Sequence, residues 1–351
     1  MVSSLDDTKR KAIATKLADI KLIQQLLIEN EQLFLRESSD SEISDRFRKI
    51  LEDDQKNLGI LETVIVQYGN PGQPKDTVQQ MVDKVRQLMQ GSELTFFEKV
   101  FQHELLKHQQ VMSGLLVHKA AQKVGADVMA AIGPLNTINF ENRAHQEQLK
   151  GVVEVLGVRE LTGQDADQGI WARVQDAIAA FSGVVGSAVT QGTDKQDMNI
   201  QDVIRLDHNK VNVLFAEIAK SNDPQKLQEY FGQLYKDLTA HAEAEEEVVY
   251  PRARAFYGQD DTQELYDEQA EMKRLLDEIK AIDPSSSQFK DRIKNLATIV
   301  MDHVRQEEST LFAAIRNNLS SDQSEQWATE FKAAKSKIQQ RLAKETQGSA
   351  R

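Results

Sequence analysis

Residues 241–250 read HAEAEEEVVY, and residues 303–312 read HVRQEESTLF. Each segment places a glutamate four residues after a histidine, and an aromatic residue nine residues after it. Residues four apart on a helix lie on one face, about one turn apart, so each histidine and glutamate can reach a common point. The repeated spacing predicts two helices that carry the same pair of polar groups.

These polar pairs lie inside apolar stripes of helical spacing, and so does His208, between Ile204 and Val211. Burying a polar group costs free energy unless the group finds a partner. Short turns between antiparallel helices would bring His208, both pairs and position 269 to one level within about one turn. Imidazole and carboxylate donors without thiolate suit iron or manganese, and bridging carboxylates suit two ions.

The pattern resembles the hemerythrin-like, HHE cation-binding family over about residues 198–320. In that family a lone histidine precedes His-x-x-x-Glu, a histidine on the third helix, and a second His-x-x-x-Glu. The resemblance implies a non-heme centre of two irons, with manganese as the alternative, and two bridging glutamates. The implied ligands are His208, His241, Glu245, His303 and Glu307.

The third helix departs from the family pattern. Gln269 stands where the family has histidine, so the resemblance leaves either Gln269 or its neighbour Glu268 as a weak third-helix ligand. This departure argues against reversible dioxygen carriage. It also leaves open whether both metal positions are filled.

Length and composition predict an all-α chain with two domains. A chain of 351 residues exceeds one ordinary helical core, and only six prolines interrupt it. We predict two up-down four-helix bundles, a ferritin-like one at 1–157 and a hemerythrin-like one at 198–320. A linker with one amphipathic helix (158–197) joins them, and a docking helix with a disordered tail (321–351) follows. Hydrophobic periodicity places the helices at about 6–36, 42–68, 76–90, 93–124, 127–157, 199–220, 224–256, 261–281, 287–317 and 322–343.

Composition also excludes several classes of protein. The formal net charge is -12, which argues against a nucleic-acid partner because phosphate binding relies on clustered Lys and Arg. The absence of cysteine excludes disulfides, zinc-thiolate sites and thiol catalysis. The polar first residues and the lack of a long apolar run argue against a secretory signal and a membrane partner. We therefore expect a cytoplasmic protein, and the sequence leaves a homo-oligomer open.

A weaker pattern occurs in the first half, where Glu104 precedes His108, and Glu141 precedes His145, by four residues. With Asp54 these residues resemble the layout of ferritin-like di-iron bundles, with Glu104 facing His145 and His108 facing Glu141. The alternative is a buried ion-pair network. The metal interpretation requires the last helix of this bundle to run through Pro134.

Three functions follow from these sites as hypotheses. The first is a di-iron protein that meets dioxygen, peroxide, nitric oxide or iron in oxidative or iron stress. The second is a di-iron oxidase or peroxidase, which turnover of peroxide would distinguish from a carrier or sensor. The third is a helical interaction protein with degenerate metal sites, which a lack of bound iron or manganese would favour.

Overall fold

The computed structural model describes residues 8–166, 169–185 and 198–348. Every regular element in these ranges is helical, which confirms the all-α prediction. The helices form two bodies, one in each half of the chain. The ferritin-like character of the first body and the domain boundaries stay predictions.

In the first body, four long helices pack in a ring. Here α1 contacts α2 and α4, and α6 closes the ring by contacting both of these. The shorter α3 packs on α1, and α7 packs on α6. The bounds are α1 Thr8–Glu37, α2 Ser41–Tyr68, α3 Asp76–Gln90, α4 Phe96–Val124, α5 Ala126–Ala131, α6 Leu135–Thr162 and α7 Ile170–Val185.

In the second body, α8, α9, α11 and α12 also form a ring, and α14 packs against α8 and α9. Apolar side chains of every helix in the ring fill the core on one side of its polar layer. The bounds are α8 Ile200–Lys220, α9 Pro224–Ala244, α10 Tyr250–Tyr257, α11 Gln259–Lys280, α12 Ser287–Gln306, α13 Phe312–Asn318 and α14 Ser321–Gly348.

Helix α4 exposes apolar residues and buries polar ones, the reverse of what its sequence suggests. Its apolar residues Phe101, Leu105 and Met112 are exposed, whereas the polar Lys107 and Gln110 are buried. Lys107 pairs with Asp54 and Gln110 donates to Gln24 inside the bundle, so the usual assignment of apolar residues to the core picks the wrong face of this helix. Of the two predicted metal positions on α4, His108 is exposed, while Glu104 is buried and bonds Gln146.

The predicted final helix of the first bundle is two helices. The first, α5, ends at Ala131, and α6 begins at Leu135 directly after Pro134, which lacks the N–H that a helix interior requires. Helix α5 packs on α8 of the second body. This break removes the register on which the first-half metal site depended.

The amphipathic helix α7 lies on the first body. Ile170 and Val174 enter the same core cluster as Phe34 and Phe47, and Arg46 stacks on the Trp171 ring. The predicted stripe continues to Phe181, Val185 and Val189, whose side chains lie outside the described residues. At the other end, α14 stays helical to Gly348, beyond the start expected for a disordered tail.

The two bodies meet at the C-terminal end of α2. Lys210 of α8 donates to the backbone carbonyls of Gln67 (2.7 Å) and Tyr68 (2.9 Å) and pairs with Asp237 at 2.8 Å. Gly69, with φ of 81°, turns the chain beside these groups. Buried polar contacts therefore tie α2 to α8 and α9.

No helix among the described residues is long and apolar enough to cross a membrane.

Candidate metal centre

Both His-x-x-x-Glu helices change their winding at the glutamate. Helix α9 passes into a π-helical turn at Glu245–Val249, and α12 passes into one at Glu307–Leu311. Single π-helical turns inside α-helices are rare and occur frequently at functional sites. The turns shift the residues that follow each glutamate, so the aromatic residue at offset nine has a different direction than in a regular helix.

Four buried side chains bring their donor atoms together. One ligand atom from each of His208, His241, Glu245 and Glu307 lies within 4.8 Å of the other three, and they form the one group of this kind within the described ranges. His303 adjoins this group, with Nε2 3.5 Å from Glu307 Oε1. The structure thus gathers the five residues that the family resemblance implies.

A carboxylate holds the Nδ1 atom of each of the three histidines. With Nδ1 occupied, each ring turns its Nε2 atom toward the centre. This is the arrangement by which outer carboxylates orient metal-binding imidazoles. The pairs are His208 with Glu308 (2.8 Å), His241 with Asp207 (3.0 Å) and His303 with Glu268 (2.6 Å).

The third helix supplies an amide to the centre. Gln269 is buried, and its Nε2 donates to Glu245 Oε2 at 2.8 Å and to the Tyr250 hydroxyl at 2.6 Å. Glu268 instead bonds His303, so of these two predicted third-helix positions only Gln269 points at the donors. Tyr250 donates to Glu307 Oε1 at 2.7 Å.

Electrostatics divide the two glutamates. Burial and then the charge of Glu307 raise the pKa of Glu245 well above its usual value. Burial would also raise the pKa of Glu307, but His303 and His208 outweigh it and lower this pKa to about 2. Burial would lower the pKa of His208, yet bonds to Glu307 and Glu308 raise it to about 9. These pKa shifts favour a neutral Glu245 and a positively charged His208 beside the ionised Glu307.

The donor set fits a cation. Glu245 Oε1 and Gln269 Oε1 are buried without a hydrogen-bond partner, while His208 Nε2 lies 3.3 Å from Glu307 Oε2. Buried polar atoms without partners are rare and require an explanation such as an ion. Two carboxylate oxygens and two imidazole nitrogens within 4.8 Å of one another therefore form a candidate metal site.

The sequence did not predict the contacts that lie behind the histidines. Lys335 of α14 forms a buried ion pair with Asp207, which in turn holds His241. The Phe331 ring packs edge-on against His241, with centroids 6.1 Å apart. Asp207 could have been noticed as the neighbour of His208, but nothing in the sequence links Lys335 to a residue 128 positions away.

A cavity of about 20 Å³ adjoins the centre, lined by apolar side chains of the ring together with the three histidines. This volume holds about one water molecule. The apolar lining residues include Val211, Leu238, Met272, Leu276 and Val300.

The predicted first-half site contains a different arrangement. The Lys107 ammonium pairs with Asp54 and donates to Asn142 Oδ1 at 3.1 Å. His145 has both ring nitrogens occupied, Nδ1 by Asp54 at 3.1 Å and Nε2 by Asp53 at 3.3 Å. A lysine therefore supplies the positive charge in this layer.

The facing pairs expected in the first half do not form. Glu104 and His108 both bond Gln146 instead, at 3.1 Å and 2.6 Å. Glu141 is partly buried at the edge of the layer, and burial is the main cause of its raised pKa. The pairing predictions were wrong because α6 begins after Pro134.

Comparison with known proteins finds one match to the second body and another along nearly the whole chain. The hemerythrin HHE cation binding domain matches residues 199–315. A protein named DNA nickase from Nostoc sp. is 80% identical over 348 residues, covering 99% of both chains. The chain belongs to the same family as this Nostoc protein. An uncharacterized hemerythrin-like protein of Schizosaccharomyces pombe is 24% identical over 39% of the chain and 68% of its own length. No solved structure gives a significant match.

These findings confirm the hemerythrin-like resemblance and correct two other expectations. The exclusion of a nucleic-acid partner was wrong, as was a function with dioxygen, peroxide, nitric oxide or iron in stress, because the 80% identical relative is a DNA nickase. Net charge misled the first inference because it averages over the whole chain and does not describe local clusters of Lys and Arg. The second came from the HHE domain alone, which covers residues 199–315.

Proposed function

We propose that this chain is a metal-dependent nickase that cuts one strand of duplex DNA. The observation that carries the proposal is the 80% identity to a DNA nickase along 99% of both chains. Identity of this extent leaves neither body of the chain without a counterpart in that enzyme. The buried donor set supports a metal requirement, since its unpartnered oxygens call for a cation.

The cation that we propose is iron or manganese, held as a pair. Imidazole and carboxylate donors favour these metals, and Glu245 and Glu307 come from facing helices, where carboxylates can bridge two ions. Gln269 contributes Oε1, whose lone pairs have no other partner. We assign no metal to the first body, because Lys107 already neutralises Asp54 there.

A bound cation supplies charge stabilisation at a phosphoryl oxygen and lowers the pKa of a water molecule. The protein's own groups set the geometry for this chemistry. The outer carboxylates fix each imidazole, and the Tyr250 hydroxyl holds Glu307 from the side at 2.7 Å. Glu308 and Glu268 are the partly exposed members of the network, so access for a DNA strand requires this rim to open.

Conversion of supercoiled plasmid to open circles by the full chain tests the proposal. We expect activity with manganese or ferrous iron, none after chelation, and recovery when metal is added back. The variant His241→Ala should lose activity, while His118→Ala, a histidine outside both polar layers, should keep it. Plasmid that stays supercoiled with every metal would refute the nickase assignment, and full activity of His241→Ala would refute the metal's role in it.

A further inference from the structure

The outer face of α4 carries an apolar stripe that the fold leaves uncovered. Phe101, Leu105, Met112 and Leu116 are between 42% and 61% exposed, although they recur at helical spacing along one face. Single exposed apolar residues are common on soluble proteins, whereas a contiguous row marks an interaction surface. The stripe extends for roughly 22 Å along the helix.

The stripe is symmetric about the point between His108 and Gln109. Reversing the helix direction there exchanges Phe101 with Leu116, and Leu105 with Met112. The half-buried Leu115 exchanges with the exposed Gln102. A surface that maps onto itself under such a reversal is self-complementary, which is the requirement for a two-fold symmetric interface.

The charges at the two ends of the stripe follow the same symmetry. Glu98 lies at the start of the exposed face and Lys119 near its end, and the reversal exchanges them. Between them the exposed face carries no Asp, Glu, Lys or Arg. Two antiparallel copies of α4 would place each Glu98 opposite a Lys119, whereas two parallel copies would place like charges together.

We propose that a second copy of this chain docks on the α4 stripe, forming a two-fold symmetric dimer of antiparallel α4 helices. Phe101 of one copy packs on Leu116 of the other, and Leu105 packs on Met112, each contact occurring twice. Glu98 keeps its capping bond to the Thr95 backbone N–H through Oε2, which leaves Oε1 for the lysine of the other copy. The occupant is a second copy because both the apolar order and the end charges of the stripe complement their own reversal.

Sedimentation velocity of the full chain at micromolar concentration tests the dimer. We expect a dimer for the native chain, and a dissociation constant raised at least about ten-fold by Leu105→Glu or Met112→Glu. Met301→Glu is the matched control, since Met301 is equally exposed on α12 of the other body. Circular dichroism verifies that each variant is folded. A monomeric native chain, or a dimer that survives both substitutions, overturns the proposal.

Cross-linking tests the antiparallel register, because the chain contains no cysteine of its own. Phe101→Cys protein mixed with Leu116→Cys protein should form a disulfide under mild oxidation. Either variant alone should not, since its two thiols would lie about 22 Å apart. Cross-linking of Phe101→Cys with itself overturns the antiparallel arrangement. A monomeric chain that floats with phosphatidylglycerol vesicles would show that the stripe meets a lipid surface instead.

Discussion

The two bodies of this chain each bury a layer of histidines and carboxylates, yet only the layer of the first body has a lysine side chain at its centre. In the first body, Lys107 pairs with Asp54 at the centre of the layer. In the second body, among the described contacts, no lysine or arginine pairs with the four converging donors, and the oxygens Glu245 Oε1 and Gln269 Oε1 lack partners. One long side chain separates an ion-pair network from a candidate metal site.

The cost of burial explains why both layers must be neutralised. A buried carboxylate without a partner is expensive, and a lysine ammonium, a proton or a metal ion can offset that cost. In the first layer burial would raise the pKa of Asp54, but Lys107 and His145 hold it below its usual range. In the second layer, burial and the charge of Glu307 raise the pKa of Glu245, which favours a proton in this place when no cation is bound.

Metal analysis of variants tests most directly whether only the second layer binds a metal. His241→Ala should lose most of the bound iron or manganese, because it removes a donor at the centre of the second layer. Asp54→Asn should keep the full metal content, since its layer is neutralised by Lys107. Elemental analysis of the purified full chains measures both, and equal metal loss in the two variants would contradict the distinction.

Removing the lysine tests the first layer directly. Lys107→Met should destabilise the protein by about 3–5 kcal/mol, because Asp54 would remain buried without its cation. The double variant Lys107→Met with Asp54→Leu should recover most of this loss, as replacing a buried ion pair with apolar groups is often neutral. Urea unfolding measures the difference. A cost below about 1 kcal/mol for the single variant would show that the pair is dispensable.

The outer carboxylates allow a finer test of the second layer. Asp207→Asn should weaken metal binding by about 10- to 100-fold, since it removes the charge that holds His241. Titration of the metal-free protein with manganese measures the affinity. The control Asp291→Asn removes an exposed carboxylate of α12 and should leave the affinity unchanged. Equal affinities for both variants would show that Asp207 does not contribute to metal binding.

The smallest effect concerns the junction between the two bodies. Gly69 and Gly163 both have positive φ, of 81° and 68°, so alanine strains either turn by about 1 kcal/mol. At Gly163 a Cβ atom meets nothing within 4 Å, whereas at Gly69 it collides with Asp237. Gly69→Ala should therefore cost about 1 kcal/mol more than Gly163→Ala in thermal or urea unfolding. Equal costs would show that the Asp237 side chain simply moves away.

The sequence predicted most helix positions closely in both bodies, but it located the buried polar groups only in the second. The expected helix at about 199–220 corresponds to α8, Ile200–Lys220, and the His-x-x-x-Glu spacing located the donors. In the first body, α4 buries a polar face and exposes an apolar one, so its apolar residues do not mark the side that faces the core. His103 of the same helix is buried 3.3 Å from Glu31, where burial lowers its pKa to about 3.

What the sequence alone determined is local. Helix geometry places residues four apart on one face, so the pairs His241 with Glu245 and His303 with Glu307 follow from spacing. Only the tertiary structure decided that Lys107 neutralises Asp54 in the first layer and that Lys335 pairs with Asp207 behind the second, since both lysines come from helices distant in sequence. The same holds for the self-complementary stripe of α4, because exposure depends on which helices pack beside it and not on its own pattern.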